Sequence, residues 1–569
     1  MRKYFLLILL LSFSICFAQI ERETRAVWLT TNHRLDWPPA TYDQEKQKKS
    51  LIEIFDDLKN KNLNTVYFQV RMNGTVLFKS SFESLSSYIT GELDGQANYD
   101  PLQFAIEQAH KRGLEIHAWV NVNLVYSTTE SNILKDSNHL LRKKPEWIVE
   151  DIRDGQKSFW MDPGIPEARN YVSDLITEMV ENYDVDGVHL DYMRYPGKNF
   201  NDDATYKLYG NNQSRDEFRR NNINSLVEEI GKKIKSVNQF IKLGAAPIGV
   251  YKRLKGMNAW ESYYDLYQDS YGWLKKGLVD YLTPQIYWAI EENPHFDILA
   301  KDWSANSSGR SVVLGIGAYK DNVKPEIDDM IKLSRSIHTS GVAFFRYQHI
   351  KDLSFPLFQH KTFPTAMPWL DGLFPPAPQN LSFTYDKEKN IYSLRWELSQ
   401  IQSEKDSVSY VSIYNLAKKS SPTKTEYLFE VVPVNHNSLS IVIDKPKKVN
   451  YYFALRSVNK IWNESVDASN VIGIKVPQMN SISLLGFESE KPVLMKDTSG
   501  ATSIIFISNQ IQQVKFLGRK ESSLELIKKE IAVAGRNIFQ IESLIDNYTA
   551  IKVVLEKENR EFELKFKSM

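Results

Sequence analysis

The 569-residue chain is predicted to be an α/β protein, a (β/α)8 TIM barrel followed by two all-β domains, and three observations carry the prediction. Residues 21–374 alternate short β-rich runs with amphipathic helical stretches, the pattern of a parallel sheet with crossover helices. A proline cluster, Phe374-Pro375-Pro376-Ala377-Pro378, then interrupts the alternation as linkers do. Beyond it the period drops to two, with strand-like runs spaced as in a sandwich.

Eight β-rich runs are expected, at 25–29, 64–70, 114–120, 187–190, 241–246, 281–286, 312–316 and 341–345. Apolar residues recur at three- and four-residue spacing over 44–60, 101–111, 166–182, 215–237 and 324–338, which predicts helices there. Eight strand–helix units in about 350 residues point to a closed barrel. An open doubly wound sheet is the alternative, but no glycine-rich phosphate turn follows the first run, and no cofactor is expected. The expected organisation is a leader over 1–18, the barrel over 19–374, one all-β domain over 375–476 and another over 477–569.

The leader begins Met1-Arg2-Lys3, runs apolar from Tyr4 to Phe17 and ends at Ala18. Its apolar stretch is too short to span a bilayer, and the small residue suits cleavage, so it reads as an export signal placing the protein in the periplasm, at the outer surface or outside the cell. Cys16 is the only cysteine; a lipidation reading is weakened by the bulky Ile15 before it. Cleavage after Ala18 leaves no thiol for disulfides, nucleophiles or metal ligation. No second long apolar run follows, so the mature chain carries no transmembrane segment. The formal charge of +1 argues against a nucleic-acid partner, which needs a basic face. Aromatics at 12% are plentiful enough to supply stacking platforms for sugar rings, although any single one is more often core.

Function in such a barrel gathers at the carboxyl ends of the strands. The fourth run ends Asp186-Gly187-Val188-His189-Leu190-Asp191, and period two places His189 and Asp191 on the same side while Val188 and Leu190 face the wall. A carboxylate there is costly unless it is partnered, which makes Asp191 the leading catalytic candidate; the bland alternative is an ion pair with Arg194 that closes the barrel top. Other polar and aromatic residues converge on the same rim: Gln69 and Arg71, His117, Trp119 and Asn121, Arg194 and Tyr195, Gln285, Tyr287 and Trp288, and Arg346. Alternating hydrogen-bonding and stacking side chains suit sugar hydroxyls better than a compact anion, so these are candidate substrate-binding residues and a glycan polymer is the expected partner. Each has a competing reading as a satisfied core polar group.

Taken together, Glu23-Thr-Arg25-Ala-Val-Trp28 with Asp36-Trp37-Pro38, Phe68-Gln69-Val-Arg71, His117-Ala-Trp119-Val-Asn121, Trp160-Met-Asp162-Pro163-Gly164, the Asp186–Asp191 run and Pro284-Gln285-Ile-Tyr287-Trp288 resemble the glycosyl-hydrolase-like family 10 proteins of bacterial envelopes. The resemblance covers 21–374 and implies carbohydrate hydrolysis, with peptidoglycan glycan strands as the substrate. Many relatives carry two successive acids at the end of strand four, whereas here Asp191 is followed by Tyr192. Related barrel superfamilies imply that Asp191 is the nucleophile. The stretch opening Pro378-Gln379-Asn380-Leu381, with Trp396 early and Tyr451-Tyr452-Phe453 late, resembles a fibronectin type III domain.

Glycoside hydrolysis normally needs a second carboxyl group. Glu291 or Glu292, beyond the sixth run, and Asp162, on the loop after the third, are the candidates; a solvated loop acid and a helix cap are the respective alternatives. Two rivals remain open at this point. His117, His189 and Asp191 could meet as metal ligands, although the first run offers no histidine pair and no metal is expected. A non-catalytic glycan-binding scaffold is the other.

Overall fold

The computed structural model describes residues 22–565 apart from 93–94, 128–134, 371–372, 387–390, 400–406, 443–449, 476–492, 497–501, 509–511, 521–522, 533–534, 542–547 and 558–559. The expected export leader over 1–18 and Cys16 therefore lie outside the described residues. Among those described, no helix is long and apolar enough to cross a membrane.

Eight parallel strands form the barrel: β1 (Thr24–Leu29), β2 (Thr65–Met72), β3 (Glu115–Asn121), β4 (Gly187–Asp191), β5 (Lys242–Ala245), β6 (Tyr281–Leu282, resuming at Gln285–Ile286), β7 (Ser311–Ile316) and β8 (Gly341–Phe344). Each pairs with the next, and β8 pairs with β1, so the sheet is closed. All eight expected runs are present. The sixth is interrupted at Thr283-Pro284, where proline has no amide hydrogen to give a ladder.

The helices around the barrel include α1 (Gln44–Asn60), α2 (Pro101–His110), α3 (Pro166–Asn182), α4 (Arg215–Val237), α5 (Ser270–Lys275), α6 (Phe296–Ala305) and α7 (Ile327–Ser336), and all but α5 and α6 fall on the expected apolar periods. Their starts are chemically defined. Asp43 and Asp100 accept amide hydrogens at the heads of α1 and α2, and Ser214 with Glu217 forms a reciprocal capping box on α4. Helices α5 and α6 were not anticipated. Nor was a three-stranded antiparallel sheet (Leu124–Tyr126, Ile148–Arg153 and Gln156–Met161) inserted between β3 and α3.

Strand alternation sorts the core into two shells. Val27, Phe68, Ile116, Val188, Leu190 and Leu314 pack outward against the helices. Ala26, Trp28, Tyr67, Trp119, Tyr281, Val313 and Ala343 fill the barrel itself. Tyr281 can lie across the interior because β5 has Gly244, where a Cβ would come within 2.0 Å of the tyrosine ring.

The first all-β domain pairs a three-stranded sheet of β9 (Gln379–Asp386), β10 (Ile391–Glu397) and β13 (Ser438–Val442) with a four-stranded sheet of β12 (Leu428–Pro433), β11 (Tyr410–Leu416), β14 (Asn450–Val458) and β15 (Ile472–Lys475). All pairings are antiparallel. The domain forms one compact unit with the barrel. It docks on the amino-terminal face, where Trp462 stacks on Tyr410 (4.9 Å between centroids) and its indole Nε1 donates to Glu115 Oε1 at 2.6 Å. The chain from Lys475 onward is a second unit with two antiparallel sheets, one of Val493–Lys496, Thr502–Ser508 and Gly535–Ile541, the other of Ser523–Ala532, Gln512–Lys520, Ala550–Leu555 and Arg560–Lys565, around a core including Phe506, Phe516 and Val553.

Candidate active site

Asp191 is the last residue of β4, buried with 7% of its surface exposed. Parallel pairing aligns β3 beside it, so that Trp119 neighbours His189 and Asn121 neighbours Asp191. The Tyr192 amide donates to Asp191 Oδ1 at 2.7 Å, and Gln285 Nε2 donates to the same oxygen at 3.3 Å. Tyr192 itself adopts the left-handed conformation (φ 51°), rare for an aromatic residue and worth about 1–3 kcal/mol of strain. That turn ends the strand and brings the Tyr192 ring to 5.8 Å from Trp160 and 5.1 Å from the Arg194 guanidinium.

Burial pushes the Asp191 carboxyl up from the ordinary carboxylate range, and the Arg194 charge, the Tyr192 amide, Trp119 and Gln285 only partly oppose it. Asp191 in turn helps to hold the Tyr287 phenol well above its ordinary value, behind the larger effect of burial. Aromatic rings complete the surroundings. Tyr287 lies 5.4 Å from Phe345 and 6.3 Å from Trp28, and Trp119 lies 6.5 Å from Phe345. The buried indole N–H of Trp119 acts on the Asp191 carboxyl as a hydrogen-bond donor, behind Arg194 and the Tyr192 amide in effect. One carboxyl group whose pKa is raised by burial, amide and phenol donors, and flat aromatic faces together suit recognition of a glycosidic bond.

Residues 23–330, more than half of the chain, match the family model described as glycosyl hydrolase-like 10. The chain belongs to the glycosyl hydrolase-like 10 family. It is 34% identical over 486 residues to the glycosyl hydrolase YngK of Bacillus subtilis (strain 168), covering 79% of this chain and 93% of that one. It is 32% identical over 374 residues to the glycosyl hydrolase DigH of Escherichia coli (strain K12), covering 58% and 84% respectively. The glycoside hydrolase domain of PgaB (BpsB) from Bordetella bronchiseptica superposes with a TM-score of 0.43 at 13% identity, over 59% of this chain and 97% of that one. As a member of the glycosyl hydrolase-like 10 family, the protein is a glycosidase.

Within this glycosyl hydrolase-like 10 barrel, Asp191, Trp119, Asn121, Gln285, Tyr287 and Arg194 are brought together. The other sequence candidates are placed elsewhere or otherwise engaged. His189 and His117 lie deeper in the barrel, where Tyr281 Oη meets Nδ1 of each, at 3.0 and 2.7 Å, and Trp28 Nε1 donates to His189 Nε2 at 3.0 Å. Burial keeps His189 well below the ordinary imidazole range, hence neutral. Among the described residues, no group of three His, Cys, Asp or Glu is gathered as a metal ion needs.

Arg71 is buried in a bidentate pair with Glu83 (2.5 and 2.8 Å), and Gln69 Oε1 accepts the Thr31 and Asn32 amides, so both brace loops around the cleft. Arg346 does the same by donating to Asp36 Oδ1 at 2.7 Å. Tyr195 packs away from the cleft against Phe200 and Tyr267, its hydroxyl accepting from Asn222 at 3.2 Å. Trp288 packs at the edge of the outer core, 5.9 Å from Lys320 Nζ. The Asp162 oxygens accept from the Gly164 amide (2.8 Å) and Thr205 (2.6 Å), tying the loop before α3 to the segment before α4. Glu292 accepts from the Ala289 amide, Lys320 and Asn322 while Glu291 is exposed, and neither Glu291 nor Asp162 is among the groups that dominate the ionisation of Asp191. Trp28, Phe345, Tyr192 and Trp160 were missed as lining residues. Period two continued through Ala26 and Ala343 would have pointed Trp28 and Phe345 inward; nothing in the sequence pairs Trp160 with Tyr192.

Proposed function

We propose that this glycosidase cleaves O-glycosidic bonds in a cell-envelope or extracellular glycan, peptidoglycan strands above others, with Asp191 as the carboxyl group at the scissile bond. The observation that carries this reading is the buried Asp191 carboxyl at the end of β4, held by the Tyr192 amide and Gln285 and surrounded by Trp119 and Tyr287. The apolar leader supports export to the compartment where such a glycan lies. The three-plus-four antiparallel arrangement of β9–β15, with Trp396 buried on its second strand, supports a fibronectin type III-like module.

The family resemblance implies a nucleophile at Asp191, but burial that raises its pKa favours the proton donor, because a general acid must hold its proton near the working pH. The test is to incubate wild type and Asp191→Asn with purified peptidoglycan and a panel of polysaccharides and identify the released ends. Asp191→Asn is expected to stay folded and lose about 10²–10⁴-fold in turnover. On a substrate whose leaving group needs no protonation, the variant keeps most of its activity; equal loss on both substrates assigns the nucleophile role instead. Undiminished cleavage by Asp191→Asn removes the residue from the mechanism, and binding without cleavage by the wild type establishes a glycan-binding scaffold.

A further inference from the structure

A groove of about 360 Å³ opens beside the loop that follows Asp191, lined by Asp151 and Arg153 of the inserted sheet, Gly197 and Lys198 of that loop, and Trp260 and Asp265 beyond β5. We propose that this groove is a distal subsite for an uncharged pyranose unit of the same glycan chain that Asp191 cuts, with Trp260 as its stacking platform; this rests on the glycosidase reading above.

Trp260 is 53% exposed and presents a large flat apolar ring to solvent. Its ring is nevertheless held. The Arg153 guanidinium lies 4.5 Å from the ring centroid, and Arg153 is itself fixed by Asp151 at 2.9 Å and by the Pro196 carbonyl. That last contact is possible because residue 197 is glycine: a Cβ there would come within 2.7 Å of Arg153 Nη2. One side of the indole is thus backed by a rigid cation, and more than half of its surface stays open. An apolar face with polar groups around its edge is the arrangement that a sugar ring complements.

The charges define the ligand class. Arg153 is paired with Asp151, and Lys198 with Asp265 at 2.9 Å, so two cations meet two anions and the groove carries no net formal charge from them. An anionic sugar would find no spare cation, whereas hydroxyl and amide groups meet fixed donors and acceptors at every wall. The groove shares a chain segment with the reaction centre: Gly197 and Lys198, which line it, belong to the loop that follows Asp191.

The experiment is calorimetric titration of Asp191→Asn, which binds without turning over, and of Asp191→Asn with Trp260→Ala, using long peptidoglycan glycan strands and a disaccharide of the same glycan. Loss of the platform is expected to weaken long-strand binding about tenfold, to leave the disaccharide affinity behind this change, and to be largely restored by Trp260→Phe. The proposal is overturned by equal weakening of both ligands, by unchanged long-strand affinity, or by no strand binding in either protein. A wild type that cuts no glycan, combined with Trp260-dependent strand binding, overturns the hydrolase reading and leaves the subsite standing.

Discussion

Asp191, the proposed catalytic group, shows how a buried carboxyl costs stability. Its pKa is raised on folding, so between the ordinary carboxylate range and that raised value the native state binds more protons than the unfolded chain. Stability is therefore fully present at low pH with respect to this group and falls as pH rises through that window. Asp191→Asn keeps an oxygen that can accept from the Tyr192 amide and Gln285 but has no charge to bury. The variant should melt at a higher temperature than wild type at neutral pH, and the difference should close as the pH drops below the ordinary carboxylate range; calorimetric scans across pH measure it. Trp119 acts differently, through the contact area of its buried indole at the cleft. Trp119→Ala should raise KM with a smaller change in kcat, and a fall in kcat alone at constant KM would contradict that. Asp191 and Trp119 were legible because the strand period fixes which way a side chain points. Arg71 and Gln69 share that direction yet are consumed by Glu83 and loop amides, and Arg346, one position out of step with the inward Phe345, is consumed by Asp36; no local pattern reveals these partners.

At the scale of elements, the cleft is shaped by segments with little periodicity. The left-handed turn at Tyr192 leads into a loop that is anchored on α4 by Arg219, which donates to both Asp202 oxygens (2.8 and 2.7 Å) and to the Lys198 and Phe200 carbonyls. The Arg219 and Asp202 side chains are 2% and 0% exposed. Arg219→Ala leaves a buried carboxylate with only the Arg215 contact at 2.7 Å and should cost about 3–5 kcal/mol, read from denaturant midpoints. The same variant should loosen the loop carrying Gly197 and Lys198. Helices α1, α3 and α4 were foreseen almost to the residue because long amphipathic runs with clear caps are locally overdetermined. The inserted sheet over 148–161 was not, although Asp154-Gly155 is a two-residue hairpin turn joining its strands; those strands are half-exposed, and only Gln156–Met161 reaches the 124–126 segment.

In the first compact unit, the all-β domain acts as a plug for the barrel floor. Glu115 and Lys242 face each other there, nearly sealed from solvent, and Trp462 completes the carboxylate's hydrogen bonding while packing on Tyr410 and Phe363. Trp462→Ala removes a fully buried indole and opens a cavity under that pair, so a loss of about 3–5 kcal/mol is expected, seen as a lower melting temperature of the barrel. An unchanged melting temperature would mean that the barrel floor closes by itself. The sequence alone determined the order of the eight barrel strands and of the five helices α1, α2, α3, α4 and α7, the change to all-β structure and the inward side of β4, because each rests on periodicity or on residues adjacent along the chain. Only the tertiary structure decided which inward polar residues reach the cleft, where Trp462 goes and how Trp260 comes to stand beside the loop after Asp191. Those depend on pairings between residues distant in sequence, and burial and charge act through space rather than along the chain.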